Sequence, residues 1–245
     1  QRAEAWGRLE HAIARRPELD DSLYDRQDLA WTRRNFISGF VFMYDRSFYE
    51  PQSARYTVAR LCREAREEFG GYDSVLLWHA YPRIGVDDRN QFDFFRQMPG
   101  GLPGLREVVS QFHAEGVGVL VPYMPWDRGT RPEPGTHQDA IVDIVAAIGA
   151  DGIFLDTMTQ SPAGLRAVAD ASRGGIGFEP EGQPPVQELE CCSNSWAQGF
   201  PVYPGIGVLA LKWIEPRHMQ HQISRWAASH ADELATAWLN GSGVL

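Results

Sequence analysis

Apolar and polar positions fall into blocks along the chain, and one block order recurs. A β-rich apolar run is followed by a loop carrying polar or aromatic residues, then an amphipathic helix, then a Gly and the next run. Residues 36–44 (FISGFVFMY) make the first strand. The helix expected after it covers about residues 52–69. Val58, Leu61, Cys62, Ala65 and Phe69 share a 3.6-residue stripe, and Gly70-Gly71 ends it. Residues 74–80 (SVLLWHA) are the second strand. A helix with Leu105, Val108, Val109 and Phe112 leads to Gly116 and the third strand, 117–123. Thr136 with Asp139 has the form of a capping box ahead of Ile141, Ile144 and Ile148. Residues 152–156 (GIFLD) are the fourth strand, and Ser161-Pro162 reads as the N-cap and first turn of another helix. Later strands are expected at 176–179, ended by Pro180, at 189–193 and at 208–214. A long helix over 216–239 carries Ile223, Trp226, Ala227 and Leu234, and 243–245 begins an eighth apolar run.

Strands alternating with helices imply parallel strands joined by right-handed crossovers. Near-continuous apolar strands are expected where both sheet faces are covered. Seven strands and the start of an eighth predict an α/β fold of the (β/α)8 TIM-type barrel class, apparently truncated near the eighth strand. A doubly wound open sheet is the rival. It gains nothing from this sequence, which has neither a GxGxxG after its first strand nor a P-loop. Residues 1–35 are expected as an N-terminal helical segment, with Trp6, Leu9 and Ile13 on one side, packed on a barrel of residues 36–245.

Composition narrows the partners. With 23 Lys and Arg against 32 Asp and Glu, the net charge of −9 argues against nucleic acid. No apolar run reaches the roughly 18–20 residues of a membrane span. Cys62, Cys191 and Cys192 form neither a disulfide framework nor a zinc pattern, and all three read as core. No cofactor is expected. The compartment is open: no signal peptide is visible, and carbohydrate chemistry would favour a secreted or periplasmic setting.

Barrels of this type react at the C-terminal ends of their strands. Those ends are rich in carboxylates and aromatics, the groups that hold sugar hydroxyls and stack on sugar rings. Asp156 follows a buried run and is the leading candidate for nucleophile or base; its bland reading is a loop cap. Glu179 and Glu181 flank Pro180, with a spacing that puts both on one side of an extended backbone, and either is a candidate acid. Glu215 competes as an acid or a binding group, although an acid before Pro216 also suits a helix start. Asp45, His79, Tyr81, Tyr123, Trp126, Asp127, Trp196 and Trp213 are candidate substrate contacts. Trp6, Trp31, Trp226 and Trp238 are assigned to packing. His218 and His221 form the one possible metal pair, but no HxH or HExxH supports it, so no metal is assigned.

This rim resembles that of glycoside hydrolase barrels of the α-amylase-like and α-galactosidase-like groups. The resemblance runs over about residues 36–240 in rhythm and over few positions in chemistry. In both groups strand four ends in an aspartate nucleophile, as GIFLD ends in Asp156. The amylase-like acid, a glutamate at the end of strand five, would map to Glu179 or Glu181. The galactosidase-like acid, an aspartate at the end of strand six, has no counterpart in Ser193-Asn194-Ser195-Trp196. The segment 101–127 also looks like the stretch preceding the nucleophile strand. The resemblance implies a glycosidase using two carboxylates. Their separation would be about 5–5.5 Å for retention and about 6.5–9.5 Å for inversion. Two other readings stay open: a non-catalytic carbohydrate-binding barrel, and a metal-dependent isomerase or an aldolase using Lys212.

Overall fold

A computed structural model describes residues 2–14, 16–79, 86–197, 210–223 and 230–245. An N-terminal helix, α1 (Arg2–Ala14), and short 3₁₀ turns precede the first strand. Five strands pair in parallel in chain order: β1 (Ser38–Phe42), β4 (Ser74–Trp78), β5 (Gly118–Tyr123), β6 (Gly152–Leu155) and β7 (Gly177–Pro180). Between β1 and β4 lie a small hairpin, β2 (Tyr49–Glu50) with β3 (Arg55–Tyr56), and helix α2 (Val58–Phe69). Helices α3 (Gln91–Arg96), α4 (Gly101–Ala114), α5 (His137–Ile148) and α6 (Leu165–Ser172) fill the later crossovers. A second parallel sheet holds β8 (Asn194–Ala197), β9 (Met219–Gln222) and β10 (Gly243–Val244), with α7 (Ala210–Ile214) and α8 (Ala231–Leu239) in its connections. A parallel bridge between Ile37 and Val244 joins β10 to the start of β1, so all eight strands run the same way. β7 and β8 lie side by side without a ladder.

Alternation along each strand sorts two cores. Val75, Leu77, Val119, Val121, Ile153, Leu155 and Phe178 face the helices and pack on their stripes, such as Leu105, Val108 and Phe112 of α4. Leu76, Trp78, Leu120 and Phe154 face the other way and meet Trp196 of the second sheet, whose ring lies 4.3 Å from that of Phe154. The inner faces of both sheets therefore share one apolar interior. Trp31, from the 3₁₀ turn before β1, closes its lower end. A Cβ at Gly177 would sit 2.9 Å from the Trp31 ring, so this strand start must be Gly.

A polar interaction joins the two sheets across that interior. Nδ1 of His221 on β9 bonds Oε1 of Glu179 on β7, and its Nε2 lies 2.6 Å from the Asn35 carbonyl oxygen just before β1. Both ring nitrogens face acceptors, so the pair must hold two protons to satisfy them. Both side chains are buried. Burial alone would push His221 down, but the Glu179 carboxylate and the Asn35 carbonyl hold it above its ordinary value. Gly243 of β10 makes room: a Cβ there would lie 2.5 Å from the imidazole.

Several expected elements move. Val186–Glu190 is a 3₁₀ turn and the strand follows it at Asn194–Ala197, so Cys191 and Cys192 precede a strand rather than lie in one. Ala210–Ile214 is a helix; a short apolar run does not by itself distinguish helix from strand. The expected long helix contains strand Met219–Gln222 and helix Ala231–Leu239, and residues 224–229 lie outside the described ones. MQHQ hides a strand because its buried faces are polar. α6 starts after Gly164, and Ser161 instead donates its N–H and hydroxyl to Glu188. Trp238 is 80% exposed and does not pack.

Because the imidazole is held above its unfolded value of about 6.5, the pair stabilises the fold below that pH. The contribution is lost as pH rises through the folded value. Melting temperature is expected to fall as pH rises above about 6.5. His221→Leu should abolish that slope and cost about 3–5 kcal/mol by stranding a buried carboxylate. Melts of the two proteins over this range check both.

Candidate functional site

The C-terminal ends of β5, β6 and β7 bring three predicted residues together. Asp156 directly follows β6; its backbone N–H continues the ladder to Tyr123 O at 2.9 Å, and the residue is 6% exposed. Trp126, in the loop after β5, donates its indole N–H to Oδ2 of Asp156. Glu181 directly follows β7 and donates its own N–H to Leu155 O at 3.1 Å. Its Oε2 accepts the N–H of Thr157 at 2.6 Å.

Thr157 has φ 59°, a left-handed conformation that is an outlier for a β-branched residue. Such strain costs about 1–3 kcal/mol. A hydrogen bond returns about 0.5–1.5 kcal/mol of that cost. The Glu181 carboxyl therefore helps hold the kink that turns the chain immediately after Asp156.

The Trp126 loop is itself anchored. The Gln91 side chain donates to Met124 O at 2.8 Å and accepts from Met124 N at 2.7 Å, replacing a strand partner where β4 and β5 have parted. The Gln91 N–H donates to Asp127 Oδ2 at 2.7 Å, and Thr130 Oγ1 donates to Asp127 Oδ1. Asp127 is thus occupied in ordering the loop. Phe42, at the end of β1, is 44% exposed and joins an aromatic run through Phe40 to Trp78, each ring pair 5.0 Å apart.

Other predicted residues lie elsewhere. Glu179 is beneath the strand ends, paired with His221. Trp196 lies inside β8 and forms floor rather than rim. Asp45 sits in the turn after β1, where the Ser47 backbone N–H holds its carboxyl below the usual range. Tyr123 faces the helices with its ring edge toward His137, and burial pushes its hydroxyl up. His79 is buried against Phe94 and Phe95; burial pushes it down to about 3, so it is neutral. Tyr81 lies outside the described residues. Glu215 and Trp213 precede β9, at the opposite end from the strand termini, because the run expected as strand is helix. Burial would raise Glu215, but Arg217 grips both its oxygens at 2.8 and 2.9 Å and holds it down. Lys212 shares that end and donates to Pro216 O; burial pushes it down to about 8.

Among the described residues, no three His, Cys, Asp or Glu side chains form a metal-binding group. His218 bonds Tyr24 and Ser195, whereas His221 bonds Glu179 and Asn35. No helix among the described residues is long and apolar enough to cross a membrane. Sequence reasoning missed Gln91, Thr157 and Phe42. The Asn90–Asp93 spacing, a real capping box at the start of α3, was the available signal that the chain after 85 is ordered up to Gln91. Nothing in the sequence marks Thr157.

The fold is shared with a solved alpha-N-acetylgalactosaminidase from Bifidobacterium bifidum in complex with Gal-NHAc-DNJ. The TM-score is 0.54 at 17% identity, over 96% of this chain and 50% of that one. A quadruple mutant of that enzyme matches with TM-score 0.50 at 17% identity, over 99% and 51%. A cyclomaltodextrinase matches with TM-score 0.48 at 12% identity, over 70% and 43%. The chain thus spans about half the length of the two alpha-N-acetylgalactosaminidase structures and less of the cyclomaltodextrinase. No family model matches the sequence, and no curated protein matches it. The resemblance to glycoside hydrolases drawn from the strand ends is borne out at the level of the fold.

Gln91→Leu keeps the volume and strands the Met124 N–H and C=O. A stability loss of about 1–3 kcal/mol for each unpaired group is expected in denaturant titrations.

Proposed function

We infer that this chain hydrolyses a glycosidic bond at the C-terminal ends of its strands. The observation that carries the reading is the placement of Asp156 and Glu181 at adjacent strand ends, linked through Thr157, beside the partly exposed Trp126 ring. Asp156 attacks or stabilises the anomeric carbon. Glu181 protonates the leaving oxygen and then takes a proton from water. The Trp126 and Phe42 rings offer faces for the C–H bonds of a pyranose. In this reading the eight strands close as a (β/α)8 barrel, residues 1–35 pack outside it as a helical segment, and 36–245 form the catalytic unit. The strand-end location accords with where such barrels react. The name of the structural neighbour suggests α-N-acetylgalactosaminides as first substrates to try.

A panel of aryl glycosides that includes the α-N-acetylgalactosaminide tests this. The chain is expected to turn over at least one of them. Asp156→Asn should cut kcat by about 10²–10³-fold or more. Glu181→Gln should cut it by about 10²–10⁴-fold, and less when the leaving group is a good one that needs no acid. Unchanged turnover in Asp156→Asn removes that residue from the mechanism.

A further inference from the structure

We propose that Trp126 is a positioning residue for the Asp156 carboxylate, acting through its indole N–H, and that the Gln91–Asp127 anchor exists to aim it. The proposal rests on the hydrolase reading above for the consequence, but on geometry for the contact.

Three observations converge. First, a Trp held only as a sugar platform needs its ring face, and its N–H could go to water; here the N–H is spent on Asp156 Oδ2. Tryptophan is a donor without acceptor capacity, so its partner must accept, which suits a carboxylate in its anionic form. Second, Trp126 is 39% exposed while Asp156 is 6% exposed. The ring both screens the carboxylate from solvent and leaves a face for ligand. Third, the loop is fixed on both sides of Trp126: Met124 by two bonds to the Gln91 amide, and Asp127 by Gln91 N–H and the Thr130 hydroxyl. A long loop freed from its strand would scatter the indole over several rotamers. This one is anchored by a side chain from the neighbouring crossover, itself capped at Asn90. A carboxylate that must meet a reacting carbon gains from fixed orientation, because small misplacements of reacting groups are costly in rate.

The contact and its consequence are tested separately. In an indole ¹⁵N–¹H spectrum, Trp126→Phe identifies the Trp126 resonance among the eight tryptophans. Asp156→Asn is expected to move that resonance upfield more than any other, since a charged acceptor becomes neutral. An unmoved Trp126 signal, or a larger movement elsewhere, overturns the contact. On whichever glycoside the chain cleaves, Trp126→Phe retains the ring face and loses only the donor. It is expected to lower kcat about 10–100-fold with KM nearly unchanged. Trp126→Ala should raise KM as well. A Phe variant with wild-type kcat, or one in which only KM rises, reduces Trp126 to a platform and overturns the positioning role. If no glycoside is cleaved, the hydrolase reading fails by itself, and the spectrum still decides the pairing.

Discussion

The match between the two sheets of this fold turns on the buried imidazole of His221. His221 reaches from the second sheet to Glu179 on the first and to the Asn35 carbonyl below β1. Around it, Leu76, Leu120, Phe154 and Trp196 contribute dispersion and burial, forces that are strong in sum but indifferent to register. A buried charge with two directed acceptors is not indifferent. It fixes β9 against β7 across a seam where no backbone ladder forms, and it demands Gly at 243. Such a pair adds little net stability over an apolar substitute, and its value lies in specifying one arrangement.

Above that layer lie the strand ends to which the chemistry is assigned in the proposed function, and their order comes from neighbours rather than from the strands themselves. β4 and β5 separate after Leu76 and Leu120, which opens space and leaves backbone groups unpaired. Gln91 fills that vacancy with an amide, the one side chain group that mimics a peptide's donor and acceptor together. The Trp126 loop is thereby as well defined as a strand, while keeping the irregular path that puts an indole beside Asp156.

How far the chain could be read without coordinates depended on where polar groups are buried. β1, β4, β5 and β6 are mostly apolar, and β4, β5, β6 and β7 begin at or just after a Gly, so hydropathy locates these five strands to within two residues. The Thr136 cap on α5 was equally plain, and its oxygen does accept the Asp139 N–H. The reading failed where burial is polar. Met219–Gln222 carries His and Gln into the interior where the sequence pattern predicts helix, and the strand expected at 208–214 is helix, which puts Glu215 and Trp213 at the other end of the fold. His79 and Tyr123 misled differently: one residue of alternation decides whether a side chain enters the interior or faces the helices, and runs apolar on both sides conceal that choice. Asp156, Glu181 and Trp126 were legible because a polar residue just past a buried strand has few places to go.

The Glu181–Thr157 hydrogen bond carries one more implication. The backbone beneath the proposed nucleophile is bent by the side chain of its proposed partner, so neither acid is an independent unit. Any change at 181 also relaxes the peptide that follows 156. Substitution energies at the two positions will not sum. A ranking of their individual contributions would describe the order in which they were altered, not a division of labour between them.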